Sequence, residues 1–173
     1  SNPVSTCLTN ECLTVRIATM GAEIKSICER ATGIEYIWKS DPTWWGGSAP
    51  ILFPIIGGLR NGTYRHKGQT YSMGGHGIVR KQEWSLLSSN ATSATYRIAA
   101  SDETRKQYPF EFTLKVHYSL SGNRVGVRYE VVNPGGETLY FSIGSHPAIN
   151  VPFAGGSVEH YYVHFSEAET IHR

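Results

Sequence analysis

The sequence predicts an all-β fold, a large antiparallel β-sandwich, from three observations. Apolar and polar residues alternate with a period of two over many short stretches, which is typical of strands with one buried face. Turn residues such as Asn-Gly, Lys-Gly and Pro-Gly separate these stretches about every 8 to 12 residues. The sequence has no sustained helical pattern and no internal repeat. We therefore expect one domain, residues 1–173, with under about 10% helix.

The first predicted strand is CLTVRIAT at 12–19, where Leu13, Val15 and Ile17 share one face. EIKSICER at 23–30 and GIEYIW at 33–38 are predicted to follow as strands, each after a glycine-containing turn. The next apolar run, ILFPII, contains Pro54, which argues against a central strand because proline lacks the backbone donor.

The later strands are predicted from seven further stretches: QTYSM, EWSLLS, ATYRIAA, FEFTLKVHYSL, RVGVRYEVVN, TLYFSIG and VEHYYVHFS. FTLKVHYSL and RVGVRYEVV each place apolar residues on one face, as half-buried antiparallel strands do. Between them, ASDETRKQYPF favours one helical turn or a loop, with a cap at Ser101 or Asp102 and an end at Pro109. The last stretch is expected to be a strand that enters a loop.

Composition excludes several classes of protein. Hydrophobic residues make up 40% and charged residues 17%, which indicates a folded globular chain. The net charge of +2 argues neither for nor against any partner. The basic residues are scattered, without the Lys/Arg stripe of nucleic-acid binders, so no nucleic-acid partner is expected. No apolar run reaches the ~20 residues of a membrane span, and SNPVSTCLTN lacks a leader pattern, so a cytoplasmic location is expected. Cys7, Cys12 and Cys28 have no CxxC spacing and are predicted to be reduced thiols.

Two histidines stand among residues too small to bury them. His76 lies in GGHGIVR, where the glycines permit positive φ and the close approach of a ligand. His146 lies in IGSHPAIN, at the end of a strand and before Pro147. Imidazole gives and takes protons near neutral pH, so both are candidates for acid–base chemistry. A solvent-facing loop histidine and a hydrogen-bonded structural histidine remain the respective alternatives.

Other kinds of site have weaker support. Trp44 and Trp45 beside Gly46-Gly47 are either an aromatic platform for a sugar ring or fillers of the core. His160 and His164 share a strand face but lie well apart, and no HExxH or paired Cys/His spacing occurs, so no metal is expected. Neither a GxSxG elbow nor a phosphate-binding loop is present in the sequence.

Three blocks of the sequence resemble the aldose 1-epimerase (mutarotase) family, in particular its bacterial lactose-operon-type branch. They are APILFPIIGGLRNGTYRHKGQTYSMGGHGIVRKQEW, ETRKQYPFEFTLKVHYSL and FSIGSHPAIN. The resemblance runs in order from about residue 8 to the last residue. It implies a large antiparallel supersandwich that interconverts the α and β anomers of a free hexose without a cofactor.

The resemblance also implies roles for particular residues. His146 matches the general acid that protonates the ring oxygen, and His76 matches the histidine that binds and polarises the sugar near that oxygen. Gly58 stands where the family usually has an arginine, so Arg60 or Arg80 is expected to bind the substrate hydroxyls instead. We expect both histidines to face one cleft, with one of these arginines at its rim.

The family's glutamate base, and an aspartate that binds sugar hydroxyls, are expected in a segment beyond HYYVHFSEAE. Glu159, Glu167 and Glu169 do not stand in the position of that base. The chain is therefore expected to be the N-terminal part of the family domain, with an incomplete sandwich at its C-terminus. On its own it is expected to be poorly active or inactive as a mutarotase. Exposed sheet edges and an exposed apolar face are expected to cause self-association, unless the C-terminus is mobile or the sequence was taken from a longer chain.

Three hypotheses remain open from the sequence. The first is an aldose 1-epimerase whose base is missing from this chain. The second is a non-catalytic carbohydrate-binding or sugar-sensing module that keeps the cleft. The third is a structural β-sandwich with incidental histidines. The sequence does not identify the sugar, nor whether it carries a phosphate.

Overall fold

A computed structural model describes residues 4–168 and 170 of the 173-residue chain. Within these residues the strands, in chain order, are β1 (Ser5–Thr9), β2 (Leu13–Ala18), β3 (Glu23–Glu29), β4 (Ile51–Leu52), β5 (Thr63–His66), β6 (Gln69–Ser72), β7 (Ser85–Ser89), β8 (Ser93–Ala99), β9 (Thr113–Ser121), β10 (Arg124–Val132) and β11 (Gly144–Ser145). The helical elements are α1 (Asp102–Gln107) and 3₁₀ turns at Arg60–Gly62, Val79–Lys81 and Val158–His160.

Two larger sheets and two small ribbons contain these strands. One sheet has the order β1-β2-β3, and the other has the order β10-β9-β8-β7. β4 pairs with β11 and β5 pairs with β6, and all of these strand pairs are antiparallel. The predicted all-β antiparallel fold is confirmed, and the helical share of 9% lies under the expected limit.

One apolar core joins the two larger sheets. The alternating faces predicted for β2 and β9 both point into it, because burying each large apolar side chain contributes about 1.5–3 kcal/mol. The Tyr118 hydroxyl on β9 also donates a hydrogen bond to the carbonyl of Ala22, just before β3, at 2.6 Å. The buried members of these faces are Leu13, Val15 and Ile17 on β2, and Leu114, Val116, Tyr118 and Leu120 on β9.

The helix α1 begins where the capping pattern indicates. The Ser101 hydroxyl accepts a hydrogen bond from the N–H of Thr104 at 3.2 Å, and the Thr104 hydroxyl accepts one from the N–H of Ser101 at 2.9 Å. This reciprocal cap satisfies two backbone donors and identifies Ser101, rather than Asp102, as the cap residue. The helix ends at Gln107, shortly before Pro109.

Three predicted strands are wrong for most of their length. GIEYIW contributes only isolated bridges at Glu35 and Ile37, and of TLYFSIG only Gly144 belongs to a strand. VEHYYVHFS begins with a 3₁₀ turn and continues without strand pairing, with Tyr162 86% exposed. An alternating sequence becomes a strand only beside a partner with free backbone groups, and within residues 4–168 these segments find little or none.

The apolar face of β10 is less buried than its sequence predicts. Val127 is 44% exposed, while Val125, Tyr129 and Val131 are half-buried. No other described strand pairs with the outer edge of β10. The three cysteines are unpaired, as expected for thiols. Among the helices of the described residues, none is both long and apolar enough to cross a bilayer.

Candidate active site

The short strand β4 brings the two candidate histidines together. On one side, β11 pairs with β4, and the ladder continues where the N–H of His146 donates to the carbonyl of Pro50 at 3.1 Å. On the other side, Phe53 bridges Gly77, and the N–H of Ile78 donates to the carbonyl of Phe53 at 2.9 Å. The residues 50–53 therefore have the His146 segment along one edge and the His76 segment along the other.

The two imidazole rings lie side by side at this point. Their centroids are 5.7 Å apart and their planes are inclined at 68°. His146 is exposed and His76 is half-buried, so both rings remain accessible to a small ligand.

His76 is held by a reciprocal pair of hydrogen bonds with Gly57. Its N–H donates to the carbonyl of Gly57 at 2.9 Å, and its Nδ1 accepts from the N–H of Gly57 at 3.1 Å. A backbone N–H only donates, so Nδ1 carries no proton while this bond exists. The neutral ring therefore has its proton on Nε2, as a hydrogen-bond donor.

The glycine after His76 has the positive φ that the sequence predicts, but its close neighbour is not the predicted ligand. Gly77 has φ +80°, and a Cβ there would overlap the carbonyl of Phe53. The close approach is thus made by the protein's own backbone rather than by a ligand. His76 itself has φ +67°, a conformation that non-glycine residues rarely adopt. Non-glycine residues with a strained, positive φ occur preferentially at functional sites.

Trp45 packs against the other histidine. The centroids of the Trp45 and His146 rings are 5.0 Å apart. A Cβ at Gly47 would overlap the Trp45 ring, so glycine is required for the indole to fold back over the chain. Trp44, in contrast, is 81% exposed, so it does not fill the core. Among the described residues its ring makes no contact with either histidine ring.

The two candidate arginines lie in different places. Arg80 is half-buried, and its Nη2 donates to the carbonyl of Gly75, next to His76, at 3.2 Å. Its Nε atom is buried without a partner among the described residues. Arg60 is exposed in its 3₁₀ turn, and its side chain makes no hydrogen bond or ion pair with the part of the chain that the structure describes.

Arg80 also lines a cleft of about 300 Å³ on the Trp45 side of His146. Glu23 lies on its wall and is 7% exposed. Burial raises the pKa of Glu23. The hydrogen bonds from the N–H groups of Ser48 and Ala49, together with the charge of Lys25, lower this pKa by more than burial raises it, so the pKa lies below its ordinary value. Sequence reasoning did not single out this carboxylate. The full lining of the cleft is Glu23, Trp45, Gly46, Gly47, Pro50, Arg80 and Lys81.

No described carboxylate bonds to either candidate histidine. The histidine–carboxylate contacts within residues 4–168 are elsewhere, at His66 with Glu137 and at His117 with Glu130. Glu159 and Glu167 are exposed, and Glu169 lies outside the described residues. Over the same described part of the chain, no group of three His, Cys, Asp or Glu side chains is arranged to hold a metal ion.

A larger groove of about 800 Å³ contains neither candidate histidine. Its walls are mostly aromatic and aliphatic, and two of its tyrosine hydroxyls donate to backbone carbonyls. The Tyr64 hydroxyl donates to the carbonyl of Gln107, and the Tyr108 hydroxyl donates to the carbonyl of Tyr140, both at 2.7 Å. Burial raises the pKa of Tyr64 to about 12, so it is a poor proton donor at neutral pH. The groove also has an imidazole of its own, His66, whose Nε2 lies 3.8 Å from a carboxylate oxygen of Glu137.

Comparisons with known proteins agree with one another. The family model for aldose 1-epimerase matches residues 5–172. The chromosomal LacX protein of Lactococcus lactis is 41% identical over 170 residues, which cover 94% of this chain and 56% of LacX.

Two solved structures are also similar. The galactose mutarotase related enzyme from Lactobacillus acidophilus superposes with a TM-score of 0.87 at 38% identity, over 89% of this chain and 51% of that one. A galactose mutarotase-like protein from Lactobacillus casei gives 0.83 at 36% identity, over 86% and 50%. The chain thus spans about half the length of these relatives, and it belongs to the aldose 1-epimerase family.

Proposed function

We propose that this chain supplies the proton-donating and sugar-polarising part of an aldose 1-epimerase site that acts on a free hexose. The observation that carries the proposal is the pair of imidazoles, 5.7 Å apart, on the two edges of residues 50–53. Membership of the family supports the same reaction. The three unpaired cysteines favour the cytoplasm as the site of this activity.

The reaction divides into two proton transfers. His146 gives a proton to the ring oxygen as the bond between that oxygen and C1 breaks. A base removes the proton of the anomeric hydroxyl, and the C1 carbonyl forms. Rotation about the C1–C2 bond then presents the other face of the aldehyde, and the reverse transfers close the ring as the other anomer. No atom or electron is lost, so no cofactor is needed.

His76 is proposed to polarise the ring oxygen through a hydrogen bond from Nε2. Its contact with Gly57 supports this role, because it leaves the proton of the neutral ring on Nε2, the nitrogen that takes no part in that contact. Arg80 is proposed as the hydroxyl-binding arginine. Its contact with the carbonyl of Gly75 supports that choice over Arg60, which is exposed and makes no such contact.

The base is proposed to be a carboxylate from outside residues 1–173. Two observations support this: no described carboxylate bonds to either histidine, and the relatives are about twice as long as the matched segment. Without a positioned base, water must take the hydroxyl proton. A positioned acid or base contributes typically ~10²–10⁴ in rate, so the segment alone is expected to turn over slowly.

Polarimetry on fresh α-glucose and α-galactose tests the proposal. The complete gene product that carries residues 1–173 is compared with the segment 1–173 alone, and each is also titrated with the sugar. We expect rapid mutarotation by the complete product and a rate at least about 10²-fold lower for the segment. Saturable sugar binding by the complete product without any mutarotation would instead identify a non-catalytic carbohydrate-binding module.

A further inference from the structure

Glu23, at the start of β3, is a buried carboxylate that the proposed reaction does not use. One of its oxygens, Oε1, accepts hydrogen bonds from two consecutive backbone N–H groups, those of Ser48 at 2.7 Å and Ala49 at 3.0 Å. The Ser48 hydroxyl lies 3.0 Å from the same oxygen. Its other oxygen, Oε2, pairs with the ammonium of Lys25 at 3.1 Å.

The segment that Glu23 holds is also the segment that holds His146. The carbonyl of Ser48 accepts the N–H of Ala148 at 2.7 Å, and the carbonyl of Pro50 accepts the N–H of His146 at 3.1 Å. The N–H groups of residues 48 and 49 therefore bind the carboxylate, while the carbonyls of residues 48 and 50 bind the backbone on both sides of Pro147. The position of His146 depends on this segment, which has two consecutive N–H groups bonded to Glu23.

The same segment begins next to the ring that packs on His146. Trp45 lies three residues before Ser48 and contacts the imidazole with ring centroids 5.0 Å apart. Ser48 and Ala49 are buried, so their N–H groups need a partner other than water. Removing the carboxylate would leave two buried donors without an acceptor, which is unfavourable unless the segment moves to find water.

We propose that Glu23 is a positioning residue for His146. Its carboxylate holds the backbone of residues 48 and 49. This backbone lies between Trp45, whose indole packs on the His146 ring, and the carbonyl of Pro50, which binds the N–H of His146. Glu23 touches neither histidine through any described hydrogen bond, so it acts through that segment. The structural part of this inference stands by itself, and only its consequence for turnover rests on the proposed function.

Three substitutions separate the acceptor from the ion pair. Glu23→Ala removes the acceptor, Glu23→Gln keeps an oxygen that accepts the same two N–H groups, and Lys25→Met removes only the charge partner. NMR then measures the nuclear Overhauser effect between the His146 and Trp45 rings, which reports their contact, and the chemical shifts of the His146 imidazole. His117, which bonds to Thr95 and Glu130 in the other sheet, is the internal reference.

We expect Glu23→Ala to abolish the ring contact and shift the His146 signals while the His117 signals stay in place. Glu23→Gln and Lys25→Met should both retain the ring contact. An intact contact in Glu23→Ala would overturn the inference, and so would its loss in Lys25→Met. If Glu23→Ala fails to fold, Glu23→Asp decides the question: it keeps the charge but shortens the reach, and an unchanged contact would count against positioning.

Turnover provides a second measurement. In the complete gene product, Glu23→Ala should lower kcat by about 10- to 100-fold, with a smaller change in KM, because a displaced acid loses its alignment with the ring oxygen. Glu23→Gln should restore most of the rate, which a purely electrostatic role would not allow. If the parent protein shows no mutarotation, the proposed function fails, while the NMR result still decides the positioning role.

Discussion

Gly57 and His76 are joined by two hydrogen bonds. The N–H of His76 donates to the carbonyl of Gly57 at 2.9 Å, and the N–H of Gly57 donates to Nδ1 of His76 at 3.1 Å. The pairing fixes the backbone of the histidine and the orientation of its ring together. Nε2 takes no part in either of these two bonds. A side chain whose tautomer is set by the backbone is suited to donating one directed hydrogen bond, and this is what polarising a ring oxygen requires.

The first prediction concerns that tautomer. At a pH where its ring is neutral, His76 should carry its proton on Nε2, because the Gly57 N–H occupies Nδ1. Long-range ¹H–¹⁵N correlation spectra of the imidazole ring distinguish the two tautomers directly. Detection of the proton on Nδ1 would contradict the geometry described for this site.

A second prediction concerns Gly77. Gly77→Ala should lower the free energy of unfolding by about 2–4 kcal/mol, since it combines an unfavourable positive φ with an overlap against the carbonyl of Phe53. Gly75→Ala is the matched control, because the nearest atom to its added methyl group is 3.8 Å away. Denaturant unfolding measures both variants. Equal effects from the two substitutions would mean that the Phe53–Gly77 contact is not tight.

A third prediction follows from the lowered pKa of Glu23. Its ordinary pKa is 4.5, and the folded state holds it lower, so the ionised form stabilises the fold. This stabilisation should be fully present above about pH 4.5 and should disappear as the pH falls through the folded-state pKa. The difference in unfolding free energy between the parent and Glu23→Gln, measured from pH 7 downwards, should therefore shrink in acid. A difference that grows as the pH falls would show that the folded-state pKa is raised.

A fourth prediction concerns the exposed side of β10. Val127 is 44% exposed on a strand whose outer edge has no partner among the described residues, so the segment 1–173 should self-associate as its concentration rises. Val127→Lys should weaken this association, because a lysine on a strand edge opposes edge-to-edge pairing. Val4→Ser, which removes another exposed valine, is the control. Sedimentation velocity that finds a monomer at every concentration would refute the prediction.

Local patterns predicted much of the fold. The alternation in β9 and the cap at Ser101 are properties of neighbouring residues, so they can be found in the sequence. β1 was missed because, on this edge strand, only Leu8 is buried and no alternation signals it. GIEYIW and VEHYYVHFS alternate as well as true strands do, and what they lack is a partner, which no local pattern reveals.

The candidate site divides in the same way. The small residues around His76 and His146 marked them in the sequence as side chains that are not packed into the core, and the structure leaves His76 half-buried and His146 exposed. Their proximity depends on the pairing of β4 with two distant segments, and this is a long-range property. No sequence pattern indicated that Glu23 would be buried. In EIKSICER it shares a strand face with Lys25, as charged residues on a solvent-exposed face do. Only the fold buries its carboxylate against the N–H groups of residues 48 and 49.

The central claim is that His146 donates the proton and His76 polarises the sugar. The direct test is the steady-state mutarotation kinetics of the complete gene product with His146→Asn and His76→Asn. We expect His146→Asn to lower kcat by ~10²–10⁴ with a smaller change in KM, because protonating the ring oxygen is the step it removes. His76→Asn should raise KM and lower kcat together, because binding and polarisation share that side chain. Small and equal effects of the two substitutions would contradict the account and would leave both histidines as structural residues.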